Sequence, residues 1–431
     1  MALLPSCCFI VLFVGTFSSD CALEDADSCS LIQSSRPAGL PLKQHVATQP
    51  AQSSEIPSAL PTDESAWFPS ALKELLEPAV EFWDNTVRLG SLPTNKTIVS
   101  GLSSGADFAV QFQVAYSASV QGAAIFAGQP YSCAVVRFPL DQLVPKDSEV
   151  PNCIGCPPNE TLVYDHCKVH PDWVDVKMLG DLAKEKYSKG LIDCPKNLES
   201  ARIYLYRGTK DPIYLKGTVK NTEEFFAQFV PQEQLLYEGD VPGGHAYPLL
   251  GDTPYPCGGS GPLAKLFLQS CQYDGPGRSL QHIYEGKLAD PGQREWSSLR
   301  WFDQEPFYGE DNEVTGLDKW ALIYVPKACH TETCDLVVSF HGCGFVFPGL
   351  YEWLVTGLTF NQWAESNNMV VIYPRLKAHG TSSQFQQGCW NVYGQTGLDY
   401  ADKGAAQMAA IKKMVDDIPS LKIWDFDITI V

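Results

Sequence analysis

"TNKTIVSGLSSGADFAVQF", Thr94 to Phe112, decides how this chain is read. "TIVSG" is a short apolar run that suits a buried strand, and "SGADFAVQFQVAYS" after it has helical character. Between them lies Gly101-Leu102-Ser103-Ser104-Gly105, a match to G-x-S-x-G. A serine at such a strand-to-helix turn has its hydroxyl lifted clear of the sheet, and the N-terminus of the helix favours a developing anion. The bare pattern also fits an ordinary glycine-rich turn; the strand before it and the helix after it favour a nucleophile. That turn needs an oxyanion loop, which normally comes from an earlier strand. Almost nothing upstream reads as sheet.

The opening "MALLPSCCFIVLFVGTFSSDCA" has a short apolar run, Cys7 to Val14, followed by small residues. It reads as a secretory signal peptide over residues 1–22, too short to span a membrane. Residues 23–66 are rich in Ser, Pro, Ala and Gln and read as a linker or pro-segment. "SALKELLEPAVEFWDNTV" suggests a short helix interrupted at Pro78. Residues 67–431 are expected to form one catalytic domain.

Downstream, strands and helices alternate. "GAAIFAG", "ARIYLYRG" and "QLLYEG" read as strands, the last two separated by the helix-like "TVKNTEEFFAQF". From about 131 to 170 the alternation fails, and Cys, Pro and Asn mark a disulfide-held excursion. "KWALIYVP", "DLVVSFHG" and "MVVIYPR" then read as strands, "YEWLVTGLTFNQWAES" and "GLDYADKGAAQMAAIKKMVDD" as helices, and "FDITIV" as a possible last strand. The expected fold class is α/β: a mostly parallel sheet with helices on both faces.

A nucleophilic serine needs a base, and the base an orienting acid. In the order Ser, acid, His, the chain offers Asp211 in "LYRGTKDPIYLKG", just past a strand end, and His245 in "GDVPGGHAYP", on a Gly- and Pro-rich loop. Each has a plainer reading, as a turn aspartate before Pro212 and a surface histidine. Together with Ser103 they favour a triad. The oxyanion donors are expected to be the backbone N–H groups of Ser104 and of Cys343, in "LVVSFHGCGF".

The formal charge of −19 argues against nucleic acid and anionic membranes as partners, and 45% hydrophobic residues allow a large core. Of 15 cysteines, Cys7, Cys8 and Cys21 fall in the presumed signal; an even number follows, as suits a secreted, disulfide-bonded chain. Cys153, Cys156, Cys167, His166 and His170 could suggest zinc, but an oxidising compartment favours disulfides; no metal and no cofactor are expected. Asn95 and Asn159 head glycosylation sequons.

"VSGLSSGADFAVQFQVAYS", "FAGQPYSCA", "GHAYP", "SCQYDGPGRSLQHIYEG", "YVPKAC", "HGC", "FNQWAESNNMVVIYPR" and "GCWNVYG" together resemble extracellular poly(3-hydroxybutyrate) depolymerases, most of all the single-domain fungal type. The resemblance runs from about Lys96 to Val415. It implies a circularly permuted α/β-hydrolase fold and a secreted serine esterase acting on short-chain polyhydroxyalkanoate ester bonds. The expected partner is a polyester or small ester, with no membrane after signal cleavage and a monomeric state. It gives Ser103, Asp211 and His245 the triad roles. It also places a substrate contact at Trp390, for which a core tryptophan is the alternative. The same resemblance suggests the bridges Cys329–Cys334, Cys257–Cys271 and Cys343–Cys389. The chain departs from the family at Ala106-Asp107, where a second glycine is usual. It shows no C-terminal polymer-binding domain, so soluble oligomers stand beside solid polymer as expected substrates. Related carbohydrate-side-chain esterases (acetyl or feruloyl) and a non-catalytic binding protein are the competing readings.

Overall fold

The structure is a computed structural model. It describes residues 86–88, 96–135, 166–169, 171–251, 253, 255–259, 266–309, 312–347, 349–380, 382–394, 396–397, 399–418 and 421–424. The signal segment, the 23–66 linker, the sequon asparagines Asn95 and Asn159, Cys29, Cys153, Cys156, His170 and "FDITIV" lie outside them. The chain divides into two units, Met1–Leu72 and Lys73–Val431, and every described residue belongs to the second.

The strands are β1 (Thr86–Arg88), β2 (Thr97–Leu102), β3 (Gly122–Phe126), β4 (Arg202–Tyr206), β5 (Leu235–Glu238), β6 (His245–Leu249), β7 (Leu266–Ser270), β8 (Leu299–Asp303), β9 (Trp320–Tyr324), β10 (Asp335–Phe340), β11 (Met369–Tyr373) and β12 (Lys422–Trp424). Ten of them form one sheet in the order β1-β12-β8-β9-β11-β10-β2-β3-β4-β5; β6 and β7 pair separately. From β11 to β5 every pairing is parallel, and β9, β8, β12 and β1 continue the sheet antiparallel.

The central strands are apolar on both faces because both are covered. Alternate residues feed two cores. Val99, Ile125, Ile203 and Val338 enter one; Ile98, Ala124, Tyr204 and Val337 enter the other. The first core takes helices α1 (Ser104–Ala115), α2 (Val176–Ser188), α3 (Lys216–Phe226) and α7 (Ala406–Asp416). The second takes α4 (Gly275–Ile283), α5 (Leu350–Gly357) and α6 (Phe360–Asn367).

The strand expected to carry an oxyanion loop is now located. β10 lies directly beside β2, with Phe340 opposite Gly101, although the two are more than two hundred residues apart in sequence. The strands on one side of β2 thus follow it in the chain, and those on the other side come from the C-terminal third. This is the circularly permuted α/β-hydrolase arrangement. Among the described residues no helix is long and apolar enough to cross a membrane.

Four local expectations are corrected. "YEWLVTGLTFNQWAES" is two helices, not one. Gly357 ends the first, where an added Cβ would lie 2.3 Å from the Leu268 side chain on β7. The last helix begins at Ala406 rather than Gly397: Asp402 turns inward to a nearly buried ion pair with Lys186, at 2.5 Å, and Ala405 is extended. His245 is the first residue of β6 rather than part of a loop. Thr86 and Val87, placed at the end of a helix, are strand, paired with β12.

Candidate active site

Ser103 stands between β2 and α1 with φ 60° and ψ −127°, a left-handed backbone that a serine adopts only under constraint. The constraint is packing. A Cβ on Gly101 would lie 2.2 Å from the Gly105 carbonyl, and one on Gly105 would lie 2.3 Å from the carbonyl oxygens of Phe340 and His341. Only glycine fits either position, so the turn closes tightly against β10. The Ser103 N–H donates to Phe126 O at 3.1 Å, and its hydroxyl makes no bond to its own helix.

The Asp211 loop follows β4 and is laced to the segment before β6. Thr209 N donates to Val241 O at 2.8 Å, and Lys210 N to Gly243 O at 2.9 Å. Asp211 Oδ1 accepts from Ile213 N at 2.8 Å and from Tyr214 N at 2.9 Å. Its Oδ2 lies 2.8 Å from His245 Nδ1. A carboxylate can only accept, so Nδ1 carries the proton and Nε2 keeps its lone pair. Nε2 is buried and has no hydrogen-bond partner among the described residues. Burial works to raise the Asp211 carboxyl, yet the His245 imidazole and the two amides hold it below its ordinary value.

The His341–Gly344 loop leaves β10 beside the serine. A Cβ on Gly342 would lie 3.2 Å from Ser103 Cβ, and Cys343 Sγ lies 3.4 Å from Ser104 Oγ. Neither the Ser104 nor the Cys343 amide pairs with a backbone carbonyl among the described residues. Several bonds brace this loop. His341 Nδ1–H donates to Gly342 O at 2.7 Å, while Nε2 accepts from Leu376 N at 3.1 Å. Burial pushes the His341 imidazole down to about 4, so it stays neutral near pH 7. Gly344 N donates to Gln387 O, and Cys343 is bonded to Cys389.

Trp390 corrects an expectation. Its side chain is 0% exposed, packed against Phe108 and Phe340 with ring centroids 4.6 and 4.9 Å away. Its indole N–H donates to His341 O at 2.9 Å. A ring with no free surface fits the core alternative, and it backs the His341–Gly344 loop.

Cys329–Cys334, Cys257–Cys271 and Cys343–Cys389 are bonded. So is Cys133–Cys167, at the two ends of the Cys-rich stretch, which removes Cys167 as a thiolate ligand for zinc. Cys194 is also disulfide-bonded.

No protein-family model matches the chain. Among curated proteins, a poly(3-hydroxybutyrate) depolymerase of Delftia acidovorans is 32% identical over 342 residues, covering 78% of this chain. The chain is a homologue of the poly(3-hydroxybutyrate) depolymerases. It spans 62% of the length of the Delftia depolymerase. A polyhydroxybutyrate depolymerase of Talaromyces funiculosus is 26% identical over 342 residues, with 76% of this chain and 90% of the relative covered. Two solved depolymerase structures share 26% identity and cover 78% of this chain and 99% of theirs. One is from Penicillium funiculosum, with a TM-score of 0.63; the other is a serine-to-alanine variant complexed with an R3HB trimer, with a TM-score of 0.64.

Two residues beside this depolymerase-like site were not singled out as members of it. Asp107 sits in the first turn of α1 and is fully buried. Its Oδ1 accepts from Gln129 N at 2.8 Å and its Oδ2 from the Tyr214 hydroxyl at 2.6 Å. Burial raises its carboxyl to about 7 against those two bonds. The Tyr214 ring is stacked on His245. A carboxylate inside the apolar run "ADFAVQF" was the available signal, because a buried charge requires partners.

Proposed function

We propose that the protein is a secreted serine esterase that cleaves the ester bonds of poly(3-hydroxybutyrate) and its short oligomers through an acyl-enzyme. One observation carries the reading: His245 is held by Asp211 through Nδ1, and its Nε2 is left without a partner among the described residues. The homology to depolymerases, one of them solved with an R3HB trimer, supports the substrate.

In this reading Ser103 Oγ attacks the ester carbonyl carbon while His245 Nε2 takes its proton. Asp211 stabilises the imidazolium. The Ser104 and Cys343 amides donate to the carbonyl oxygen as it becomes an anion. The imidazolium then protonates the leaving alkoxide, which departs as a hydroxyl-ended fragment. Water, deprotonated by Nε2, attacks the acyl-serine, and the hydroxy acid leaves as Ser103 regains its proton. The disulfides and the leader-like opening support secretion, with Asn95 and Asn159 as glycosylation sites.

The test is Ser103→Ala. It should fold as the parent does, lose kcat on a soluble 3-hydroxybutyrate trimer by about 10⁴-fold or more, and no longer react with a fluorophosphonate probe. Undiminished turnover in this variant would refute the assignment. Parallel assays on acetylated xylan and feruloyl esters check the substrate; turnover of those alone would overturn it.

A further inference from the structure

Asp107 does not belong to the triad, yet it is the second carboxylate buried behind it. Tyr214 connects the two. Its N–H donates to Asp211 Oδ1 at 2.9 Å, its carbonyl accepts from Arg207 Nε at 2.8 Å, and its hydroxyl donates to Asp107 Oδ2 at 2.6 Å. Pinned at three points and fully buried, the ring lies within 11° of parallel to the His245 imidazole, with centroids 5.3 Å apart. The imidazole therefore has Asp211 at its edge and Tyr214 across its face. Turning it out of this bond and across that face would displace a fully buried ring.

We propose that Asp107 is a positioning residue for His245, acting through Tyr214: its carboxylate fixes the tyrosine that holds the imidazole face, and its charge favours the imidazolium formed during acylation. The proposal rests on the esterase reading above. It also gives the Ala106-Asp107 departure a role.

The charge arrangement is consistent with it. Asp107 is faced by the Tyr214 hydroxyl and, at longer range, by Lys168, His245 and Tyr400; Tyr393 in turn bonds Tyr214. The Lys168 ammonium lies over the rings of Tyr214, at 5.7 Å, and Tyr393, at 4.9 Å. The carboxylate thus has two basic groups within electrostatic reach, Lys168 and His245, and His245 becomes cationic during the reaction. With a carboxyl raised to about 7, Asp107 changes charge within the range where an esterase operates.

The experiment compares wild type, Asp107→Asn and Tyr214→Phe. The first variant removes the charge and keeps the shape. The second removes the hydroxyl and keeps the ring. Readouts are kcat and KM on the soluble trimer and the rate of fluorophosphonate labelling across pH 5 to 9, with near-UV circular dichroism as a folding control. Asp107→Asn should lower kcat and labelling about tenfold, the equivalent of one unit of lost charge stabilisation, with KM little changed. The acid limb of its labelling profile should move to lower pH, because the imidazolium loses a negative neighbour. Tyr214→Phe should lower kcat by less and leave the acid limb closer to that of the wild type. A packing role alone would not shift the limb. Folded variants with wild-type rates and an unshifted limb overturn the proposal. If one variant does not fold, the other decides. Failure of the wild type itself to label or turn over ester is a different result, and it overturns the esterase reading.

Discussion

A buried carboxyl raised from its ordinary value to about 7, as at Asp107, has a thermodynamic sign. The folded protein holds the Asp107 proton more tightly than the unfolded chain. Its contribution to stability is therefore full below the unfolded value of 3.8, falls as pH rises toward 7, and is flat above that. Asp107→Asn should melt at a higher temperature than the wild type at pH 8, and the gap should close toward pH 4. The size is at most a few kcal/mol, reduced by the cost to Lys168 of losing a negative neighbour. Melting curves at pH 4.5 and 8 check it; a gap of equal size at both would refute it. Together with the expected loss of kcat, this would mark Asp107 as a residue held for activity against stability. The strained Ser103 turn and the Asp211–His245 pair were legible in the sequence because a triad demands local signatures: glycines about a strained turn, an aspartate past a strand end, a histidine on the next segment. The Asp107–Tyr214 bond was not, because its two ends lie 107 residues apart. Nor was the burial of Trp390, since a tryptophan between Cys389 and Asn391 reads the same whether it faces solvent or core.

At the scale of elements, the His341–Gly344 loop, the proposed oxyanion loop, depends on its supports. It leaves β10 with no helix of its own. Its shape comes from the neutral His341 bridging Gly342 and Leu376, from the Cys343–Cys389 bond and from the Trp390 indole on the His341 carbonyl. Trp390→Phe keeps much of the aromatic packing against Phe108 and Phe340 and removes that one hydrogen bond. The expected result is a fall in kcat of about tenfold, smaller than the 10²–10³ that follows outright loss of an oxyanion donor, with KM nearly unchanged. Steady-state kinetics on the soluble trimer check it. A rise in KM at constant kcat would instead return Trp390 to substrate contact. Buried strands such as β2, β3 and β10 were legible because unbroken apolar runs have few alternatives. β8, "LRWFD", was not, because its faces are only half covered. The α5–α6 break was hidden for a related reason: Gly357 is tolerated within a helix, and only the extended backbone of Leu358 marks where the helix stops.

The whole molecule can be tested through its chain order. β12 pairs antiparallel with β1, Trp424 opposite Thr86, so the end of one strand adjoins the start of the other. Antiparallel neighbours of this kind can be joined by a tight hairpin turn. The segment from Glu285 to Asp290, between α4 and β8, is largely exposed and carries no strand. Opening the chain there, and joining Trp424 to Thr86 by a short Asn-Gly turn, gives a protein that starts before β8. It runs through the oxyanion strand and then enters β2 and the elbow, so the oxyanion loop precedes the serine, as in an unpermuted hydrolase. No sheet pairing is altered, and no described residue of the candidate site is removed. The rearranged chain should fold, show the same circular dichroism as its parent and label at Ser103 with fluorophosphonate. Its melting temperature should shift modestly, because joining or cutting loops changes chain entropy by only about 1 kcal/mol per few-fold change in loop length. A rearranged chain that folds but does not label would show that the site depends on the natural connectivity and not on the sheet alone. Labelling at the parental rate would show the reverse: the elbow, the acid, the base and the oxyanion loop are positioned by strand neighbourhood, whatever order the chain visits them in.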